Sequence, residues 1–203
     1  MDEARAVREF WFGEAPLTAA TLKARMSFWF GAAGAQQDEE IRGRFGALVE
    51  RAAAGELAGW ADGSRGRLSL ILLLDQFPRN LFRGTARAFA YDDQALALTL
   101  SGMQSAADGA LDVVERLFFY LPLEHAESLE AQDESVAACR RLLGEVPREL
   151  QSVFESTLRS AEQHRSIIER FGRFPHRNRV LERTSTDAEE QWLREGGGAG
   201  FGQ

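Results

Sequence analysis

Lysine is almost missing from this chain: of its 24 basic residues 23 are arginine and only Lys23 is lysine, against 31 acids. The formal charge of −7 excludes general nucleic-acid binding, which needs a basic face to displace the counterions around phosphates. Cysteine is scarcer still. A lone Cys139 forms no intramolecular disulfide and points to a reducing, cytoplasmic compartment. Long hydrophobic runs are also lacking: LSLILLL at 68–74 is far short of the roughly 20 residues that span a bilayer. The opening MDEARAVREF has no signal-peptide layout. A cytoplasmic protein without a membrane segment is expected.

Reaction motifs are absent too. HExxH, CxxC, the P-loop, GxSxG and GxGxxG do not occur, and the residues three before His125, His164 and His176 are Pro122, Ala161 and Arg173, so no Glu-x-x-His pair exists for a di-iron bundle. Cys139 falls on the inward face of a predicted helix, where a thiol is inert. No cofactor and no metal site is implied, because the histidines with Asp75, Glu124 or Glu127 lack diagnostic spacing, and catalytic residues stay unassigned.

What the chain has is helical period. Apolar residues recur at three and four, never at two over a strand length, which predicts an all-α fold. Helices are predicted at 3–12, 18–30, 65–77, 92–105, 109–121, 123–143, 148–172 and 187–195, with another in QQDEEIRGRFGALVERAAAG, capped by Asp38 and closed by Gly55. Thr186 with Glu189 fits a capping box. Short links imply antiparallel helix pairs stacked as a bundle or a right-handed helical array. Its 203 residues suit one domain, 1–195, followed by a Gly-rich flexible tail at 196–203. Two echoes stand out, FWFGEA (10–15) with FWFGAA (28–33), and FPRN (77–80) with FPHRN (174–178).

Polar residues intrude where apolar ones belong. The helix at 65–77 is apolar nearly all round, so Asp75 and Gln76 end a buried element, and Pro78 is expected to break it and project Arg79 and Asn80 from a turn. A structural reading pairs Asp75 with Arg79. Pro122 is expected near the first turn of the next helix, whose inward stripe starts at His125 and passes Gln132, with Glu124, Glu127 and Ser128 beside it. His164 interrupts the line Val153, Thr157, Ser160, Ile167, Phe171. In RFGRFPHRN (170–178), Gly172 and Pro175 stop a helix and two phenylalanines bury the corner, which leaves Arg170, Arg173, His176, Arg177 and Asn178 as a polar surplus. Arginine, histidine and asparagine gathered on loops are the donors expected around a carboxylate or phosphate.

Three segments, LDQFPRNLFRGTARAFAYDDQAL (74–96), FFYLPLEHAESLEAQDESV (118–136) and HRSIIERFGRFPHRNRVLERTSTDAEEQWL (164–193), together with FWFG and DEEIRGRF, resemble an uncharacterised bacterial family known as domain of unknown function 924. The resemblance covers almost the whole chain. It implies an all-helical, tetratricopeptide-like fold and no established activity. The family pattern matches Asp75, Gln76, Pro78, Arg79, Asn80, Arg83, His125, Glu127, Gln132, His164, Gly172, Arg173, Pro175, His176, Arg177 and Asn178. One position departs from it: Glu182, between Leu181 and Arg183, stands where the family usually has Gly.

The leading expectation is a soluble binding module whose pocket (Asp75, Gln76, Arg79, Asn80, His125, Glu127, His164, Arg173, His176, Arg177, Asn178) takes an anionic small molecule or an acidic peptide segment. The alternatives are a hydrolase-like enzyme on a small anionic, phosphorylated substrate with a histidine as general acid or base, and a scaffold with no ligand site.

Overall fold

A computed structural model of the chain describes residues 2–13, 18–30 and 34–198. Among them it has helices and no strand: α1 Glu3–Phe12, α2 Ala19–Phe30, α3 Gly34–Ala53, α4 Ser64–Ile71, α5 Phe77–Leu81, α6 Asp92–Gln104, α7 Val113–His125, α8 Leu129–Glu145, α9 Gln151–Phe171 and α10 Asp187–Arg194, with short 3-10 turns between several of them. The all-α expectation holds. No described helix is long and apolar enough to cross a membrane.

The greasy run is the hub. α4 passes through one π-helical segment, Leu72–Gln76, into α5, and this continuous rod packs against α1, α3, α6 and α7. Leu68, Ile71, Leu72, Leu73 and Phe77 on it are wholly buried. At about 1.5–3 kcal/mol for each such side chain taken from water, a rod that is apolar all round is stable only at the centre. The two copies of FWF meet beside it: Phe10 and Phe28 lie 5.6 Å apart, Phe12 and Trp29 5.9 Å, and Trp29 Nε1 donates to the Trp11 carbonyl at 2.9 Å. The ends of both echoes, 14–15 and 31–33, lie outside the described residues.

Two prolines correct the expected helix ends. Pro78 does not break its helix, because the wider π turn just before it leaves room for the ring and it falls in the first turn of α5, as its second residue, where proline is tolerated. Asp75 and Gln76 therefore point into the core instead of into a loop. Pro122 sits inside α7, which runs on to His125, and the break comes at 126–128 with Ser128 as N-cap of α8. The carbonyls freed there are collected by one amide: Gln132 Nε2 donates to Glu124 O at 2.7 Å and to Ala126 O at 2.9 Å. Asp38 is no cap either, since α3 begins at Gly34 and the Asp38 carboxylate instead accepts from Asn80 and Arg83.

Other stops fall where expected. Gly172 closes α9 with φ +70, a left-handed value that costs glycine nothing, and Thr186 with Glu189 forms the capping box of α10. A satellite core of Ile167, Ile168 and Phe174, joined by Phe171 and Trp192, docks α10. Gly196–Gly198, expected to begin a flexible tail, instead fold back: Gly197 N donates to Trp192 O at 2.8 Å, and a Cβ on Gly198 would come within 2.8 Å of His176. Residues 199–203 lie outside the described residues.

Candidate functional site

The π turn presents a carboxylate to the interior. Asp75 is 0% exposed, accepts from Gln76 Nε2 at 2.5 Å, lies 3.2 Å from Arg79 and is 2.7 Å from His125 Nδ1. Burial alone would raise its pKa, but Arg79, His125 and Gln76 outweigh that and hold the carboxyl well below the ordinary range. An ionised Asp75 is an acceptor only, so the His125 proton belongs on Nδ1. The other ring nitrogen, Nε2, has no hydrogen-bond partner among the described residues, and 16% of the side chain is exposed. Burial, and then Arg79, keep this imidazole below its usual pKa, with Asp75 pulling the other way.

Two arginines close on the same place from different elements. Arg79 spans both oxygens of Asp92 at 2.8 and 2.9 Å and donates to the Asp75 carbonyl at 2.7 Å. Arg177, 6% exposed on the 3-10 turn Pro175–Arg177, lies between the rings of Phe89 and Phe174, 4.7 and 4.4 Å from their centroids. Its NH1 donates to the His125 carbonyl at 3.0 Å. The nearest carboxylate oxygen, Asp92 Oδ2, is 3.7 Å away and already engaged by Arg79, while Arg177 Nε has no hydrogen-bond partner among the described residues. Burial and the neighbouring Arg79 push this guanidinium down to about 10. It stays charged at neutral pH but is short of compensation.

Next along the wall, Glu124 accepts from Ser160 Oγ at 2.8 Å and pairs with His164 Nδ1 at 2.9 Å. Burial opposes ionisation of Glu124, yet His164 and Ser160 lower its pKa. Phe174 links the components, with His164 and His176 each 5.5 Å from its ring. Burial and Arg177 lower His176 to about 4.

The expected clusters 75–80 and 173–178 thus meet, but only in part. Asp75, Gln76, Arg79, His125, Arg177, His164 and His176 share this region. Asn80 does not: it donates to Asp38 at 2.8 Å. Arg173 grips both oxygens of Glu189 at 2.7 and 2.8 Å, and Asn178 donates to Ser185 at 3.0 Å. Glu127 accepts from Phe174 N at 2.8 Å and from both terminal nitrogens of Arg183 at 2.6 and 2.9 Å. These four polar residues are spent on architecture. The turn between Asn178 and Arg183 contains Glu182 at φ +55, so the place where the family usually has Gly does adopt a left-handed backbone.

Sequence reasoning missed Asp92 and Phe89, and it placed Glu124 beside His125 without counting it among the site residues. No spacing signal ties Asp92 to two arginines, one of them 85 positions further along. The Cys139 thiol, pushed up to about 12 by burial, remains protonated. No group of three or more His, Cys, Asp or Glu among the described residues is arranged to hold a metal ion. A separate depression of about 760 Å³, lined by Arg5, Arg8, Arg65, Asp112, Glu115, Glu145 and others, carries both signs and none of the expected site residues.

Comparison with known proteins adds a family and no activity. The model of a family described as bacterial protein of unknown function (DUF924) matches residues 7–197. The solved structure of a protein of unknown function from Agrobacterium tumefaciens is similar at 39% identity with a TM-score of 0.77, covering 95% of this chain and 97% of that one. No curated protein matches.

Proposed function

We propose, for a chain that belongs to the DUF924 family of bacterial proteins of unknown function, that it is a binding module, its helices stacked in a tetratricopeptide-like array, whose ligand is a small anion or acidic segment taken at Arg177. One observation carries this reading. Arg177 is buried, lies against two phenylalanine rings and is denied a carboxylate of its own. A buried charge is normally paired, and an arginine that only shares an occupied carboxylate is suited to an incoming oxyanion. The sequence-based list contracts to Arg177 and His125 as ligand contacts, with Asp75, Gln76 and Arg79 behind them.

The test is a thermal-shift panel of phosphate, sulfate, citrate and short acidic peptides on wild type and Arg177→Met. A ligand at about 100 times its Kd adds roughly 2.7 kcal/mol. Stabilisation by at least one anion, lost in a variant that folds as well as wild type, is the expected result. If nothing on the panel shifts the wild type, the scaffold reading replaces this one.

A second reading, a hydrolase-like enzyme on a small phosphorylated anion, is favoured by the Asp75–His125 pair. An imidazole held through Nδ1 by a buried carboxylate presents Nε2 as a general acid or base. Turnover of an anion identified on the panel, abolished in His125→Gln, would establish it.

A further inference from the structure

Resting on that reading, we infer that the anion is a phosphoryl group, as inorganic phosphate or a phosphate monoester, and that His125 takes up one proton when it binds. The geometry supplies two points of attachment next to each other. Arg177 NH1 is tied to the His125 carbonyl at 3.0 Å, so the guanidinium is pinned beside the residue whose imidazole makes the second contact. Asp75 anchors that ring through Nδ1 and leaves Nε2 without a hydrogen bond among the described residues, on a side chain that is 16% exposed.

Charge decides the protonation state. The groups facing His125 are Asp75 from the π segment, Arg79 from α5, Asp92 from α6 and Glu124 from its own helix, with Arg177 from the 3-10 turn held at its backbone carbonyl. Glu124 is taken up by hydrogen bonding to Ser160 Oγ and His164 Nδ1. The remaining two arginines and two aspartates balance when His125 is neutral, and burial reinforces that state. A neutral imidazole with its proton on Nδ1 turns a lone pair outward, which repels an anion's oxygen. A proton on Nε2 converts the lone pair into a charge-assisted donor. The negative charge of the ligand itself supplies the drive.

A phosphoryl group suits this arrangement better than a carboxylate does. It carries about −1.5 to −2 charge near neutral pH and three acceptor oxygens, so one is left for His125 Nε2–H after Arg177 has taken its share. A carboxylate brings one charge and two oxygens, both of which a single arginine fork satisfies.

The experiment is titration calorimetry of the full chain with inorganic phosphate, sulfate and acetate at pH 7.5, each in two buffers of different ionisation enthalpy. Sulfate matters because it has the shape of phosphate and no proton of its own to exchange in this range. The expected result is buffer-dependent sulfate heat corresponding to uptake approaching one proton, with affinity falling about tenfold per pH unit between the free-state and the bound-state pKa of His125 and levelling off above the latter. Phosphate and sulfate bind at least tenfold more tightly than acetate, and His125→Gln abolishes the proton uptake. Sulfate binding with no proton uptake, or acetate binding as well as phosphate, overturns this inference and leaves the Arg177 site standing. If no anion binds the wild type, the underlying reading fails and this one with it. The two-buffer measurement on wild type needs no variant, so a poorly folded His125→Gln does not remove the test.

Discussion

Two polar corners of this molecule use nearly the same side chains and reach opposite states. Around α10, Arg173 has both oxygens of Glu189 and Arg183 has both oxygens of Glu127, so each cation owns a carboxylate. Around the π turn, Arg79 takes both oxygens of Asp92, Asp75 gives one oxygen to His125, and Arg177 receives a carbonyl and a share of an occupied acid. The first corner is closed by its own valences. The second has a donor left over, which is the physical condition for a ligand. Residue type does not separate the two, since arginine and acid occur in both; partner assignment does.

Four substitutions press on that contrast, in falling order of effect on stability. Asp75→Ala strips the acceptor from three buried neighbours and is expected to cost about 3–5 kcal/mol in urea unfolding, as breaking a buried ion pair does. A cost under about 1 kcal/mol would mean that the π turn carries no structural charge network. Glu189→Ala removes the mate of Arg173 and half the capping box, at about 1.5–3 kcal/mol, and leaves phosphate binding untouched. Its pH signature has a definite sign. Arg173 lowers Glu189 to about 2, so this stabilisation is complete above the ordinary carboxylate pKa near 4.3 and disappears as pH falls through about 2. Acid titration of wild type against Glu189→Ala should converge in that window.

Glu182→Gly should act in the other direction. At φ +55 a residue with a Cβ is strained, and glycine relieves about 1 kcal/mol, read as a higher midpoint in denaturant. No gain would imply that Glu182 earns its place through a contact. Smallest of all is Arg177→Met, within about 1 kcal/mol of wild type, because it replaces an under-compensated buried charge with an apolar chain of similar length. A loss of several kcal/mol there would erase the distinction between the corners and make Arg177 a staple like Arg173.

How far the site was legible follows from the span of its contacts. The FPHRN corner and the Asp75–Arg79 pair were readable because their members are neighbours on the chain. The division between spent and open arginines was not. Arg183 meets Glu127 across 56 positions, Asp75 meets His125 across 50, and Arg177 meets the His125 carbonyl across 52. Nothing in local pattern selects among the seven arginines between 159 and 183 for these roles.

By itself the sequence determined what interactions within a turn or two can decide. That includes the helical period throughout, the Thr186–Glu189 box, the Gly172 stop and the central place of LSLILLL. Tertiary structure alone decided that Pro78 and Pro122 stay inside helices, because a π turn chosen by core packing and an amide ten residues on from Pro122 absorb their cost. It also decided that Arg177, unlike Arg173 and Arg183, has no carboxylate to itself. Helix stacking sets that pairing across more than 50 residues, and charge compensation belongs to the neighbourhood in space.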